Sequence, residues 1–477
     1  MPVRIRRPRA FEGRRASKDI AHHDNRLALM DHVVFAQHRA IGRAIVIQIV
    51  WVYEHAIDFD GVRRFNENLG RGLLGRRIER SPLSFARHRW VSDHGPSDID
   101  IAECPRARAE LSDWADERAQ LVIDPESGSG FRIGVLPLTD GSTAVSLVVS
   151  HYLIDGFGLA LAIVEAILGN ARNLAYPPPG SRTRLRAMAQ DARQTARDAP
   201  DIARALVAAA KLARARRHVD AQPLPPRPVA LGGGGDDDAV VVPVITIHLD
   251  VGHWDARAAA LGGTSKTLVA AFAAKLGERV GRRRAGDGAI TLILPVSERV
   301  EGDTRALAVS FARVSVDPTL LTTDLRDVRS AIKRELRALR ETPDESLKLV
   351  PLAPLASKRA LKRTADAELA DPDLPVSCSD LGDLGSVVFA LARTDANFVN
   401  VSAHLNAVHL IRGVWQKVTR QELEQTRGQL RLHSWRIGAK IGITIAAYQP
   451  GAENTKSALR DLAARTLAEF GLAGEIE

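Results

Sequence analysis

The sequence predicts an α/β fold made of two lobes, and three observations support this prediction. The 477 residues exceed what one hydrophobic core usually supports, so two lobes of roughly 150 to 250 residues each are expected. Apolar strand-like runs and amphipathic helical segments are mixed in both halves, a pattern typical of α/β lobes. A segment poor in large apolar residues, 176–240, lies between the halves. Two lobes imply a cleft between them.

The composition is that of a folded globular protein, with 45% hydrophobic and 26% charged residues. The net charge of +9 does not indicate nucleic-acid binding, because the basic residues are spread along the chain without an aromatic-interleaved basic run. The two cysteines, Cys104 and Cys378, show no spacing typical of a disulfide framework or a zinc site. We therefore expect no metal and a cytoplasmic protein.

The N-terminus and one apolar stretch are the two segments that could indicate membrane association. Residues 1–27 form a basic tail without the apolar region and cleavage site of a signal peptide. The tail is either a frayed end or a contact to lipid headgroups, which would place the protein peripherally at a membrane. The stretch 144–168 is apolar but carries His151 and Asp155 at its centre. Since a charge at mid-bilayer costs about 3 kcal/mol, a buried strand, a loop and a buried helix are predicted there.

The first lobe is predicted over residues 28–175. The run AIVIQIVWV (44–52) is continuously apolar and rich in β-branched residues, as a fully buried strand should be. Asp58 or Asp60 can cap a helix after it. The apolar face of that helix consists of Val62, Phe65 and Leu69.

A hairpin and a second helix complete this lobe. FRIGVLPL (131–138) and STAVSLVVS (142–150) are predicted strands, and the turn residues 139–141 between them indicate a hairpin. The helix that follows begins after Gly156. Its apolar residues at four-residue spacing are Leu159, Ile163 and Ile167.

Residues 176–240 are predicted to link the lobes. The segment opens with PPPG, closes with QPLPPRP and GGGGDDD, and has an Arg/Ala-rich helical pattern in between. Such a stretch cannot bury a core of its own, so we interpret it as a linker with a solvated or lobe-covering helix.

The second lobe is predicted over residues 241–477. Thr264 or Ser265 can cap a helix near 264–280, and SALRDLAARTLAEFGL forms an amphipathic helix near the C-terminus. Apolar runs predict strands at 241–249, 289–296, 307–316, 385–392 and 436–448.

One segment, SHYLIDGFG (150–158), points to chemistry. It contains His-x-x-x-Asp-Gly between an apolar strand and an apolar helix, so His151 stands on a loop at a strand's end, where α/β proteins place reactive groups. A neutral imidazole titrates near neutral pH and can take the proton of an attacking hydroxyl or amine. A satisfied structural histidine is the alternative interpretation.

This segment resembles the His-His-x-x-x-Asp-Gly motif of the CoA-dependent acyltransferase superfamily, which includes condensation domains, wax ester synthases and diacylglycerol acyltransferases. RSPLSFARHRWV (80–91), LPVSERVEGD (294–303) and PVSCSDLGDLG (375–385) are similar to further segments of these proteins. The resemblance extends over about residues 28–472. It implies chloramphenicol-acetyltransferase-like lobes, each a mixed sheet flanked by helices, with the active-site channel between them.

The resemblance also implies roles for the motif residues. His151 matches the histidine that acts as the base, and Asp155 and Gly156 match the last two positions. Asp155 is expected to hold the loop through a charge-assisted bond to Arg299 of the second lobe. Gly156 is expected to serve the turn or the close approach of the thioester arm. Ser150 stands in place of the first histidine.

In the second lobe the resemblance implies further residues of the channel. Ser377 and Ser379 are candidates for its wall, because their segment is similar to a Ser-Asn-x-Gly region of the family. Asp380 departs from that pattern.

The implied function is acyl transfer from a thioester to a hydroxyl or amine. Acyl-CoA is the preferred donor and a phosphopantetheine thioester the second, each as a co-substrate, and no bound cofactor is expected. The acceptor is a small molecule or a lipid. No Gly-x-Ser-x-Gly elbow precedes the motif, which favours direct attack in a ternary complex over an acyl-enzyme.

Two alternatives stay open. The first is a condensation enzyme that forms an amide or ester from a carrier-bound donor, with an acyl carrier protein as partner, and a basic surface would suit an acidic carrier. The second is a non-catalytic binding module that keeps the fold, for which Ser150 is the main support.

Overall fold

The computed structural model describes most of the chain. The described residues are 25–93, 98–170, 174–219, 239–300, 302–341, 345–386 and 395–477. Most of the predicted basic tail lies outside them. Leu27, which we placed in the tail, is fully buried in the first lobe, so the folded body begins before residue 28.

The first half of the chain alternates strands and helices. Its strands are β1 (Ala44–Tyr53), β2 (Arg76–Glu79), β3 (Arg89–Ser92), β4 (Ile99–Ile101), β5 (Phe131–Pro137) and β6 (Thr143–Ser150). Its helices are α1 (Leu29–Ile41), α2 (Phe59–Arg71), α3 (Leu111–Ala119) and α4 (Gly156–Ile167).

The predicted elements of this half are confirmed. The β5–β6 hairpin pairs antiparallel from Phe131 opposite Val149 to Pro137 opposite Thr143. Asp58 is the residue that caps α2, and its carboxylate accepts bonds from the amides of the first turn.

The long helix α5 (Arg184–Val219) occupies the predicted linker and packs on the first lobe. Asp191 on α5 is almost fully buried, and its carboxylate lies 2.8 Å from the guanidinium of Arg89 on β3. Arg182 donates a second bond to the same carboxylate at 2.9 Å. The helix therefore covers the lobe instead of standing free in solvent.

The second half contains the remaining elements. Its strands are β7 (Val244–Asp250), β8 (Ile290–Ser297), β9 (Val309–Val316), β10 (Val376–Asp383), β11 (Val408–Gln416), β12 (Gln429–Ile437), β13 (Lys440–Tyr448) and β14 (Glu475–Ile476). Its helices are α6 (Val251–Ala260), α7 (Ser265–Arg279), α8 (Arg326–Glu341), α9 (Lys358–Leu369), α10 (Asp395–Asn406), α11 (Arg420–Gln425) and α12 (Lys456–Glu469). A 3₁₀ segment spans Glu345–Leu355.

One strand prediction in this half was wrong. The run 436–448 is not one strand, because the chain reverses at Gly438, whose φ of 57° suits a glycine, and so joins β12 to β13. Most of the predicted strand 385–392 lies outside the described residues, and its described residues, Gly385 and Ser386, are in a helical turn that follows β10.

Both large sheets are mixed, as predicted. The first has the order β11-β1-β6-β5-β4, in which β4 and β5 are parallel and the other pairs antiparallel. The second has the order β14-β7-β13-β12-β10-β8-β9, in which β10 runs parallel to both of its neighbours. Helix α7 is buried against one face of the second sheet and, with α6, α8 and α12, closes a large apolar core.

Strand β11 crosses from the second half of the chain to the first sheet. It pairs antiparallel with β1, from Ala44 opposite Gln416 to Trp51 opposite Val408. Without it β1 would be an open edge with unpaired backbone groups. The chain therefore does not divide cleanly at residues 176–240, because the first sheet is completed by a strand from the predicted second lobe.

Candidate active site

The motif loop joins β6 to α4. Its backbone is fixed at both ends: the amide of His151 donates to the carbonyl of Ile45 at 3.0 Å, and the amide of Leu153 donates to that of Ser150 at 3.0 Å. Asp155 is the N-cap of α4, and its Oδ1 accepts from the amide of Gly158 at 2.7 Å. His151 thus sits on a rigid turn between a strand and a helix.

Asp155 and Arg299 are in direct contact across the two lobes. Arg299 donates from Nη2 to Oδ2 at 2.6 Å and from Nε to Oδ1 at 3.3 Å, and both side chains are 2% exposed. Asp155 Oδ2 also accepts from the amide of Ala308 at 2.9 Å. The carboxylate is therefore fully occupied by structural bonds, as expected for a residue that holds the loop, and is not available to move a proton.

Two more charged residues of the first lobe bind the same segment between β8 and β9. Asp31 of α1 accepts from the amides of Ala306 and Leu307, each at 2.9 Å. Arg76 of β2 donates to the carbonyl of Thr304 at 2.6 Å. The sequence analysis did not find these residues, because nothing in their local patterns indicates a partner more than 200 positions away.

Gly156 and Gly158 lie in close contact with residues of the second lobe. A Cβ on Gly156 would stand 3.0 Å from Leu381, and one on Gly158 would stand 2.9 Å from the guanidinium carbon of Arg299. Gly156 does not have positive φ. Its use in this structure is close packing against Leu381 rather than a left-handed turn.

His151 is enclosed by protein yet keeps part of its surface accessible. Burial lowers its pKa below the ordinary 6.5, while hydrogen bonds to the backbone of His151 and Ile154 and the charge of Asp155 oppose this shift. The ring is consequently neutral at pH 7.

Four residues of the second sheet share one of its faces. Ser377 and Ser379 on β10 are register partners of Arg431 and His433 on β12, so all four side chains share one face. The residues between them point to the opposite face, into the large core. Each of the four keeps part of its surface accessible. We call the region of these four residues and His151, where the sequence analysis predicts the channel, the interlobe passage.

The passage contains two residues that the sequence analysis missed, Arg431 and His433. Burial, the charge of Arg431 and the charge of His151 lower the pKa of His433 to about 4. The alternation in QLRLHSWRI indicates that both residues face away from the leucines. It does not indicate that this face meets the motif loop.

A second histidine, His38 of α1, lies behind the motif loop. Its Nδ1 is 3.1 Å from the hydroxyl of Tyr152, which donates to the carbonyl of Arg43 at 3.2 Å. Burial and the charge of His151 lower the pKa of His38 to about 3. This neutral ring supports the residue next to His151 in the chain.

Ser150 lies beneath the loop. It is 1% exposed, and its hydroxyl has no hydrogen-bond partner among the described residues. Its backbone amide donates to the carbonyl of Gly130 at 2.8 Å. The hydroxyl of Ser150 therefore forms no hydrogen bond with Asp155.

Asp380 lies in the second half of β10. Its Oδ1 accepts from the hydroxyl of Ser434 at 2.8 Å and from the amide of Gly382 at 3.2 Å, and the ammonium of Lys266 lies 3.4 Å from Oδ2. These bonds give it a structural role beside the passage.

An apolar pocket lies against the motif helix on the first-lobe side. It begins at Gly156 and runs between α4 and the buried face of β1. Its lining residues are Ile47, Ile49, Trp51, Gly156, Leu159, Ala160, Ile163, Val164, Leu381, Leu384, Leu405, Val408 and Ile411. No charged side chain lines it, and its lining is apolar.

Within the described residues, no group of three or more His, Cys, Asp and Glu side chains could hold a metal ion. None of the described helices has both the length and the apolar character needed to cross a bilayer.

Comparison with known proteins identifies the fold. No protein-family model matches the chain, and no curated protein matches it in sequence. The first condensation domain of the CDA synthetase is similar in structure, with a TM-score of 0.52, 14% identity and coverage of 95% of this chain and 99% of that chain. The same domain in complex with a substrate analogue gives a TM-score of 0.53 at 16% identity, covering 94% and 96%.

A wax ester synthase/diacylglycerol acyltransferase from Marinobacter aquaeolei VT8 is similar as well. Its TM-score is 0.53 at 13% identity, with coverage of 94% of this chain and 100% of that chain. The predicted two-lobed fold, shared by this condensation domain and this wax ester synthase/diacylglycerol acyltransferase, is therefore confirmed over nearly the whole chain.

Proposed function

We propose that the protein transfers an acyl group from a thioester, in the first instance acyl-CoA, to a hydroxyl or amine, with His151 as the general base. The observation that carries this proposal is the setting of His151: a partly accessible imidazole whose pKa burial lowers, on a loop that the Asp155–Arg299 pair ties to the second lobe. A base must be unprotonated and within reach of the group it deprotonates.

The reaction proceeds by direct attack. The acceptor oxygen or nitrogen bonds to the thioester carbonyl carbon while His151 takes its proton. The carbon–sulfur bond then breaks, and the imidazolium returns the proton to the leaving thiolate, so His151 ends neutral. Cys378 is no rival nucleophile, because it is buried in the core and burial raises the pKa of its thiol to about 12.

The apolar pocket supports an acyl group with a hydrocarbon chain as the transferred group. It begins beside Gly156, within the motif, so a chain lying in it would start near the reacting carbonyl. Asp155 and Arg299 support the chemistry indirectly, by fixing the loop against the second lobe. The acceptor, a small molecule or a lipid, would then attack from the side of the passage lined by Ser377 and His433.

A carrier-bound donor is the second candidate, favoured by the net charge of +9, since a basic protein attracts an acidic carrier. A binding module without catalysis is the third, and the hidden hydroxyl of Ser150 does not favour it, because that side chain lies buried beneath the motif loop.

The test is release of free thiol from acyl-CoA donors of graded chain length, with alcohol and amine acceptors. Exposed Cys104 would react with a thiol reagent, so the assay is run in a Cys104→Ser background. We expect turnover that falls by about 100-fold or more in His151→Ala, the usual contribution of a general base. A parallel arm with acyl groups on an acyl carrier protein identifies the donor. Full turnover in His151→Ala refutes the proposal.

A further inference from the structure

Arg431 is a buried guanidinium without a counterion. It lies on β12, on the passage face, two residues from His433. Among the described residues no carboxylate pairs with it and no hydrogen bond to its side chain is formed, although its surface is partly accessible. Burial and the charges of Arg43 and Arg282 lower the pKa of Arg431 to about 9. The fold thus keeps the Arg431 guanidinium at a position where burial and two neighbouring positive charges disfavour its charged form.

The other enclosed arginines of this region have partners in the chain. Arg412 is bound to Asp116 at 2.6 Å, and Arg43 to Glu422 at 2.8 Å. Arg282 donates to three backbone carbonyls. Since buried charges are normally paired, Arg431 is an exception among the described residues, and it can take a further anionic partner.

The surroundings of Arg431 form a binding site. Its guanidinium carbon lies 5.0 Å from the centre of the Trp415 ring, which holds the planar group in place. Arg431, Trp415 and Gly413 line a pocket between β11, β12 and α3. The acidic residue of that pocket, Asp116, is already bound to Arg412 and to Lys456, so it does not neutralise Arg431.

We propose that Arg431 binds a carboxylate or phosphate on the acyl acceptor and thereby orients the acceptor toward His151. The site takes an anionic oxygen group, since a planar guanidinium presents paired donors to such groups. This inference rests on the proposed function for its catalytic meaning, but the anion site itself can be tested without turnover.

The spacing along β12 favours the acceptor over the donor as the source of the anion. Two residues along a strand span about 7 Å, so Arg431 lies about 7 Å along β12 from His433, whose pKa the charge of His151 lowers. In a pantetheine thioester, about thirteen bonds separate sulfur from phosphorus, or roughly 16 Å when extended at about 1.2 Å per bond. The phosphate of the donor would therefore lie well beyond Arg431.

The first experiment measures anion binding by calorimetry, with benzoate and inorganic phosphate as probes. We expect the wild-type protein to bind at least one of them, Arg431→Gln to bind about tenfold or more weakly, and Arg431→Lys to fall between the two. Arg326→Gln, at an exposed arginine on α8, controls for the loss of one charge and should bind as the wild type does. Absence of wild-type binding, or equal binding by Arg431→Gln, overturns the site.

The same titration in His151→Ala separates this inference from the proposed function. Anion binding that persists in His151→Ala supports the site whether or not His151 is the base.

The second experiment compares acceptors in pairs, each a hydroxy acid and its neutral methyl ester. Arg431→Gln should raise KM for the acid by about tenfold and leave KM for the ester and for acyl-CoA within about twofold. A rise in KM for acyl-CoA alone overturns the assignment to the acceptor.

Discussion

Asp155 and Arg299 are 144 positions apart in the chain, yet they form a two-bond ion pair that is almost completely excluded from solvent. Asp155 caps the helix that follows His151, and Arg299 belongs to the segment between β8 and β9. The geometry of the motif loop and the docking of the two lobes therefore depend on the same two side chains.

Removal of either partner should destabilise the whole protein. Arg299→Ala or Asp155→Ala leaves an uncompensated buried charge, which costs about 3–5 kcal/mol in the free energy of unfolding. Urea unfolding measures this loss. Arg326→Ala, which breaks an exposed pair with Asp324, serves as the matched control and should cost about 0–1 kcal/mol.

The double variant Asp155→Leu with Arg299→Met removes both charges and should recover a large part of the stability. A single variant of Asp155 that keeps wild-type stability but has no turnover would contradict the structural role and assign the carboxylate to the chemistry.

The pH dependence of kcat/KM should follow His151. Because burial lowers the pKa of this imidazole, the base form persists below pH 6.5, and the acid limb of the profile should have its midpoint under that value with a plateau through pH 7. The pKa of His433 is about 4, so His433→Gln should not move this midpoint. A limb centred above pH 7 would mean that His151 is protonated at neutral pH and cannot be the base.

Ser150→Ala should be tolerated. The hydroxyl is buried without a partner, so its removal relieves an unsatisfied polar group and should leave the unfolding free energy unchanged or slightly higher, by about 1 kcal/mol at most. Turnover should stay within about twofold of the wild type, since the side chain lies buried beneath the motif loop. Thermal unfolding and the thiol-release assay measure both effects. A large loss of turnover would assign Ser150 a part in the reaction.

The apolar pocket should set the acyl chain length. Ala160 lines it and is partly accessible, so Ala160→Phe fills the space and should shift the preference toward shorter acyl donors by about tenfold in the ratio of kcat/KM values. Leu161→Phe adds an aromatic ring at the neighbouring position of α4, outside the pocket, and should leave the ratio unchanged. Equal shifts in both variants would show that the pocket does not hold the chain.

The elements that the sequence predicted well are those with strong local patterns. β1 is a continuous apolar run, and α4 carries apolar residues at four-residue spacing next to a capping aspartate. β10 was missed as a strand because VSCSDLGD is polar on the face that lines the passage. The turn at Gly438 was missed because apolar residues continue on both sides of it.

Sequence reasoning identified only some of the residues of the candidate site. The motif located His151, and the resemblance paired Asp155 with Arg299, which local patterns could not have done. Arg431 and His433 lie on a strand whose alternation marks a polar face, but the fact that this face meets His151 depends on how the lobes dock. Long-range pairing is decided by tertiary packing, and no local signal records it.

The pairing of β11 with β1 also affects how fragments of the protein behave when they are expressed. A fragment that ends within the helix α5 would lack the strand that covers β1, and the exposed backbone of β1 would be free to pair with other copies. Such a fragment should accumulate as aggregates when expressed alone. Co-expression with the complementary fragment, which supplies β11 in trans, should restore it to solution as a two-chain assembly.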